Sequence, residues 1–179
     1  MSNAAFAQEA DESSQFTFKP MIVIGIATGG DEMGTLEYEG GSSTDVSAGG
    51  GVTFGGGFEI QSNDKPFGAT ATLNYHSDSA TASNADITMD RFEFTLLPYY
   101  QVNEQFQVSA GLSMHTGVEF EIDYQGTDTI EFDSAMALLF EVSYLLESGN
   151  MALSGRYTSV DYEATKLNNS SVSGADTVD

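Results

Sequence analysis

The chain has no cysteine, no tryptophan, three prolines, and five basic residues against 27 acidic ones. Each scarcity excludes something. Without thiols there is no disulfide framework and no thiolate chemistry. A formal charge of −22 argues against nucleic acid, whose phosphates are bound by basic patches. No run of ~18 or more apolar residues exists, so no segment can cross a membrane as a helix. The acidity does not mark a disordered chain: 12 Phe and 8 Tyr provide the apolar surface that disordered acidic sequences lack. At 179 residues the chain suits a single sizeable domain.

What is present is alternation. From Phe106 to Ile122 one parity reads Phe, Val, Ala, Leu, Met, Thr, Val, Phe, Ile, and the other reads Gln, Ser, Gly, Ser, His, Gly, Glu, Glu, with His115 near its middle. A period of two is the period of a β-strand, and this stretch exceeds an ordinary globular strand of ~5–6 residues. Six further segments repeat the pattern, around Phe16–Ala27, Val46–Gln61, Phe67–His76, Arg91–Tyr100, Phe132–Leu146 and Met151–Tyr162. Three connections are tight, at Ser62–Pro66, Val102–Gln105 and Glu147–Asn150. Three are longer and polar, at Gly29–Asp45, Ser77–Ile87 and Asp123–Glu131. Tight and long connections that alternate in a meander fall on opposite ends, the asymmetry of outer-membrane barrels. Residues 1–14 are expected to be the remnant of a trimmed signal or an added tail, since Ala5-Phe6-Ala7 has the small-x-small form of a cleavage site. Residues 15–179 are expected to form the barrel domain.

Two barrels satisfy such a pattern, one apolar inside and soluble, the other apolar outside and membrane-spanning. The membrane form is expected here. The apolar parity holds nearly all the Phe, Leu and Ile, while the other parity is mostly small residues with a few charges. Those charges are expected to pair inside, because an isolated buried charge is costly. The expected lumenal network is Lys19, Arg91, Glu93, His115, Glu119, Glu141 and Arg156. Aromatics near the strand ends, including Tyr75, Phe92, Phe120, Phe132 and Tyr157 at the long-loop end, are expected to lie at headgroup level.

With Leu97-Pro98-Tyr99-Tyr100-Gln101-Val102-Asn103 and Gly155-Arg156-Tyr157-Thr158-Ser159-Val160-Asp161-Tyr162, the chain resembles the small eight-stranded outer-membrane barrels of the outer membrane protein A/X type. The resemblance covers about Gln15 to Ala164. It implies an all-β, antiparallel up-and-down transmembrane barrel of about eight strands in the bacterial outer membrane, in contact with outer-membrane lipid and lipopolysaccharide. Seven strands are visible, so a closing eighth strand is expected to be missing from the sequence. A monomer without a cofactor is expected.

Other chemistry is sparse. His115 on the lumenal parity reads as part of a satisfied polar network. His76 followed by Ser77, Asp78 and Ser79 invites a Ser–His–acid reading, and some small outer-membrane barrels act on lipid A at the outer rim. The His-x-Ser-Asn order of the deacylase type is absent, and a non-enzyme is expected. The acidic loop residues Asp31, Glu32, Glu37, Glu39 and Asp45, and Asp123, Asp128 and Glu131 later in the chain, offer hard oxygen ligands to Ca²⁺ or Mg²⁺ but lack EF-hand spacing. The expected function is a plugged barrel with acidic external loops and a structural or surface-interaction role. The alternatives are a lipid A-modifying enzyme and a barrel carrier of small apolar ligands.

Overall fold

In the computed structural model, which describes residues 15–30, 32–37, 43–47, 49–81, 86–123, 127–147, 150–167, 170–171 and 177–178, every regular element is a β-strand. In chain order these are β1 (Phe16–Ala27), β2 (Glu32–Glu37), β3 (Ser43–Ser47), β4 (Gly51–Ser62), β5 (Phe67–Thr81), β6 (Asp86–Gln101), β7 (Phe106–Asp123), β8 (Thr127–Phe132), β9 (Ala135–Leu145), β10 (Ala152–Ser159), β11 (Tyr162–Leu167), β12 (Ser170–Ser171) and β13 (Thr177–Val178). The seven anticipated segments correspond to β1, β4, β5, β6, β7, β9 and β10, which pair antiparallel in that order as a meander, except that Val46, expected at the start of the second, belongs to β3. The sheet is not closed: among the described residues β1 and β10 do not pair with one another.

The tight turns follow from local chemistry. Asn103 Oδ1 accepts from the backbone N–H of Gln105 and of Phe106, both at 2.9 Å, the side-chain turn that Asn forms readily. At the other end the expectation of long loops is corrected. β5 and β6 stay paired out to Thr81 opposite Asp86, and β7 meets β8 out to Asp123 opposite Thr127. Much of those connections is therefore strand extension, and the Gly29–Asp45 region holds the β2–β3 hairpin. The expected leader at residues 1–14, and the acidic residues Asp31 and Glu39, lie outside the described residues.

Apolar side chains face out. Ile22 and Ile24 are 84% and 85% exposed, and Phe94, Leu112 and Phe140 are about half exposed, whereas the alternate positions Thr95, Ser113 and Ser143 are buried. A single sheet can bury one face only by curling over it, and contacts between non-adjacent strands record that curl. Tyr99 on β6 donates to Glu59 on β4 at 2.7 Å, and Gln61 on β4 reaches Gln101 on β6 at 3.5 Å. Gly57 permits the close β4–β5 approach, because a Cβ there would collide with the Ala71 carbonyl.

This inside-out pattern holds only up to one level. At Gly117 the β7 backbone adopts φ +58°, and the β6–β7 register slips, so that Asp90 faces Glu119 while Phe92 faces Thr116. Two residues of β7 then oppose one of β6, a β-bulge with glycine in the left-handed region. Beyond it the faces exchange. Val118 and Phe120 turn inward and are 1% and 2% exposed, while Glu119 and Glu121 turn outward. The neighbouring strand breaks at the same level, at Asp133 and Ser134 between β8 and β9, and exchanges faces too. On β6 and on β10–β11 the backbone parity continues, and the inward residues themselves change from Glu93 and Arg91 to Met89 and Ile87, and from Arg156 and Thr158 to Val160 and Tyr162. The result is an apolar cluster of Ile87, Met89, Val118, Phe120, Phe132 and Tyr162 inside the strand extensions.

Three expectations are corrected by this exchange of faces. Glu119, expected in the lumenal network, faces outward. Phe120 and Phe132, expected at headgroup level, are buried in the apolar cluster. Tyr75, Phe92 and Tyr157, expected at that level, do face outward, and Phe54 joins them: the rings of Phe54, Tyr75 and Phe92 pack tilted across three strands with centroids 5.4 Å apart at each step. Phe106 and Tyr144 pair at the tight-turn end with centroids 5.2 Å apart. A tilted spanning strand needs ~9–11 residues, and the runs Phe92–Tyr100 and Phe106–Met114 between these two aromatic levels meet that length.

Candidate functional site

The enclosed face carries three polar groupings stacked along the strands. The deepest is built on β5, β6 and β7, just beneath the apolar cluster. Arg91 Nε donates to Glu93 Oε1 at 2.9 Å, two positions apart on one face of β6. His76 Nδ1 and His115 Nε2 approach the same Glu93 oxygen from either side, at 3.7 and 3.9 Å. All four side chains are buried. One carboxylate thus compensates a guanidinium that has lost its water, with two imidazoles flanking the pair.

Each imidazole is oriented by further partners. Tyr162, reaching over from β11, donates its hydroxyl to His115 Nδ1 at 2.5 Å. Burial pushes the Tyr162 phenol up to about 12, so the hydroxyl is retained. That assignment leaves the His115 proton on Nε2, facing Glu93. His76 donates from Nε2 to the Gly50 carbonyl at 2.5 Å and accepts from Thr53 Oγ1 on Nδ1 at 2.6 Å.

Toward the tight turns, Arg156 binds Glu141 at 2.8 Å, and Ser143 donates to the same carboxylate at 3.1 Å. On the opposite side of the curl, Lys19 donates to Gln61 at 2.9 Å and lies 3.8 Å from Glu59. Lys19, Arg91, Glu93, His115, Glu141 and Arg156 therefore all sit on the enclosed face, in three groups rather than one. Arg156 and Lys19 are partly open because their strands border the unclosed seam. Sequence reasoning missed Tyr162 as the partner of His115 and Glu59 as the partner of Tyr99. It had placed His76 beside Ser77 and Asp78, not with Glu93. The signal for Tyr162 in the sequence is that Val160 and Tyr162 take the parity opposite to Met151, Leu153 and Tyr157.

The hydrolase geometry does not form. Ser77 adjoins His76 along the strand and therefore projects to the other face. The hydroxyl that does meet His76 is Thr53, but the remaining ring nitrogen is occupied by the Gly50 carbonyl rather than by an orienting carboxylate. Asp123, Asp128 and Glu131 do not converge either. Asp123 pairs with Thr127 and Asp128 with Ile122, on alternate faces, while Glu131 accepts from Lys166 at 2.6 Å and raises the pKa of that exposed ammonium. Among the described residues no group of three or more His, Asp or Glu is placed to hold a metal ion.

An antiparallel meander with an apolar exterior, two outward aromatic levels and ion pairs on its enclosed face defines a membrane-spanning β-barrel. The chain belongs to the outer membrane protein beta-barrel domain family, whose model matches residues 2–175. Its place is the bacterial outer membrane, and its Phe, Leu and Ile are largely on the outward face. No curated protein and no solved structure matches the chain.

Proposed function

We propose that the protein is a non-conducting, monomeric anchor in the outer membrane whose working part is the acidic strand extension above the bilayer. The observation that carries this reading is the double obstruction of the interior. The Arg91–Glu93–His76–His115 grouping fills one level, and the apolar cluster around Met89, Phe120 and Tyr162 fills the next. About eight strands leave an interior that side chains alone can fill. A water-filled path would have to pass both layers.

The extension turns acids outward in register. Asp90, Glu119 and Glu131 lie side by side across β6, β7 and β8, and Asp86 lies opposite Asp123. Like charges directly opposite are unfavourable within a sheet, and this face has the same sign as lipopolysaccharide phosphates. Contact between the two would run through divalent cations shared with the membrane surface. A rim enzyme built on His76 gains no support, because the ring is enclosed by Thr53, Gly50 and Glu93. An apolar-ligand carrier is disfavoured by the polar enclosed face of the spanning region. Planar-bilayer recording tests the reading: insertion of the protein should give no steady conductance steps, and reproducible unitary steps would overturn it.

A further inference from the structure

Tyr162 belongs both to the apolar cluster and to the polar layer beneath it. It opens a strand that changes partners. β10 ends at Ser159, paired with β9, and β11 resumes at Tyr162, paired with β8. Val160 and Asp161 form the joint, and β8 and β9 part at the same level, at Asp133 and Ser134. β11 is therefore a strap with its own joint. Its ladder to β8 is short and irregular: Ala164 lies opposite Phe132, then, after a register shift, Lys166 opposite Glu131 and Leu167 opposite Ile130. Tyr162, 1% exposed, ties the strap down to β7, where its hydroxyl donates to His115 Nδ1 at 2.5 Å.

That bond requires a neutral imidazole. A protonated ring has no acceptor nitrogen, so the buried Tyr162 hydroxyl would lose the partner for its proton. The charged and titratable groups facing His115 are Glu93 and Arg91 from β6 and His76 from β5, with Asp78 further along β5 beside His76. β11 brings Tyr162, and β9 brings Ala135 opposite His115. Glu93 already holds Arg91 at 2.9 Å. The layer is neutral as one guanidinium and one carboxylate, and a proton on His115 gives it a net buried charge, which is costly. With the strap lifted, water hydrates the imidazolium. Proton uptake and lifting therefore favour one another.

We propose that Tyr162 and His115 form an acid-released latch for the β11 strap. The inference goes beyond the anchor role and is tested without reference to conductance. Hydrogen exchange of the full chain in detergent reads it, each amide expressed as protection relative to its unfolded rate at the same pH. Between about pH 7.5 and about pH 4.5, on either side of the ordinary imidazole value of about 6.5, protection at residues 162–167 and 130–132 should fall about ten-fold, the scale of one lost hydrogen bond. Residues 95–100 and 106–112 should keep theirs. His115→Asn, which keeps an acceptor near the Nδ1 position but no titrating group, should remove the acid response. Tyr162→Phe should lower strap protection already at neutral pH and flatten the response, which keeps the test open if the Asn variant does not fold. Unchanged strap protection in acid, a loss spread evenly through the barrel strands, or a full acid response in either variant would overturn the proposal.

Discussion

Gly117 is the position where the account is most exposed to a mutation. Its φ of +58° puts it in the left-handed region, where a residue with a Cβ pays ~1–2 kcal/mol. A Cβ there would lie 3.7 Å from Phe92, an ordinary contact, so crowding adds nothing. Gly→Ala also stabilises by ~0.4–1 kcal/mol by restricting the unfolded chain. Gly117→Ala should therefore destabilise by a net ~0.5–1 kcal/mol, and Gly117→Asn by less, since Asn tolerates this region. Deleting Gly117 is a different perturbation. It removes the extra residue, so Val118 and Phe120 must turn out and Glu119 and Glu121 must turn in. The first change loses ~1.5–3 kcal/mol per side chain, and the second buries carboxylates beside Met89 and Phe132 at several kcal/mol each. That sum rivals the whole stability of a domain, ~5–15 kcal/mol, so the extension should detach rather than invert. Urea unfolding in lipid vesicles reads the point variants, and limited proteolysis across residues 118–132 reads the deletion. A deletion variant with parental protease resistance and stability would refute the face exchange.

Two further outcomes follow from the buried polar groups. Glu93→Gln should cost ~3–5 kcal/mol, because it removes the carboxylate from a buried ion pair. Arg91→Met combined with Glu93→Leu should recover most of that loss, and additive single and double effects in urea unfolding would contradict the pairing. Tyr162 gives a pH dependence of definite sign. Its folded pKa, about 12, lies above the ordinary 10.0, so its contribution is complete below pH 10 and is lost as pH rises through 12. The base-induced loss of stability in that window should be shallower in Tyr162→Phe, as measured by unfolding midpoints between pH 9 and 12.

The barrel strands were legible because period two is written directly into residues such as Ile22, Ile24 and Ile26 or Leu112 and Met114. Their outward orientation was legible because Gly, Ser and Thr opposite them suit a cramped interior. The face exchange was hidden for a physical reason. Phe106 to Ile122 keeps one unbroken apolar parity, and a bulge changes which face that parity occupies without changing the pattern itself. Glu119 and Phe120 are misplaced on that account, and Phe132 because the break at Asp133 and Ser134 does the same to its strand. The β8 extension falls in the stretch expected to be a loop because Thr127–Thr129 carry the Thr and Asp of a solvated strand. The His76–Glu93 and His115–Tyr162 contacts join strands distant in sequence, and no local spacing announces them.

The central claim is that β7 presents its even-numbered side chains to lipid below Gly117 and its odd-numbered ones to water above it. The absence of native tryptophan makes single-tryptophan variants a direct probe in vesicles containing lipids brominated on their acyl chains. Trp at Leu112 should be blue-shifted and strongly quenched, Trp at Ser113 unquenched, and Trp at Glu119 unquenched with the emission of a water-exposed ring. Strong bromine quenching at Ser113 with none at Leu112, or quenching at Glu119 equal to that at Leu112, would contradict the account.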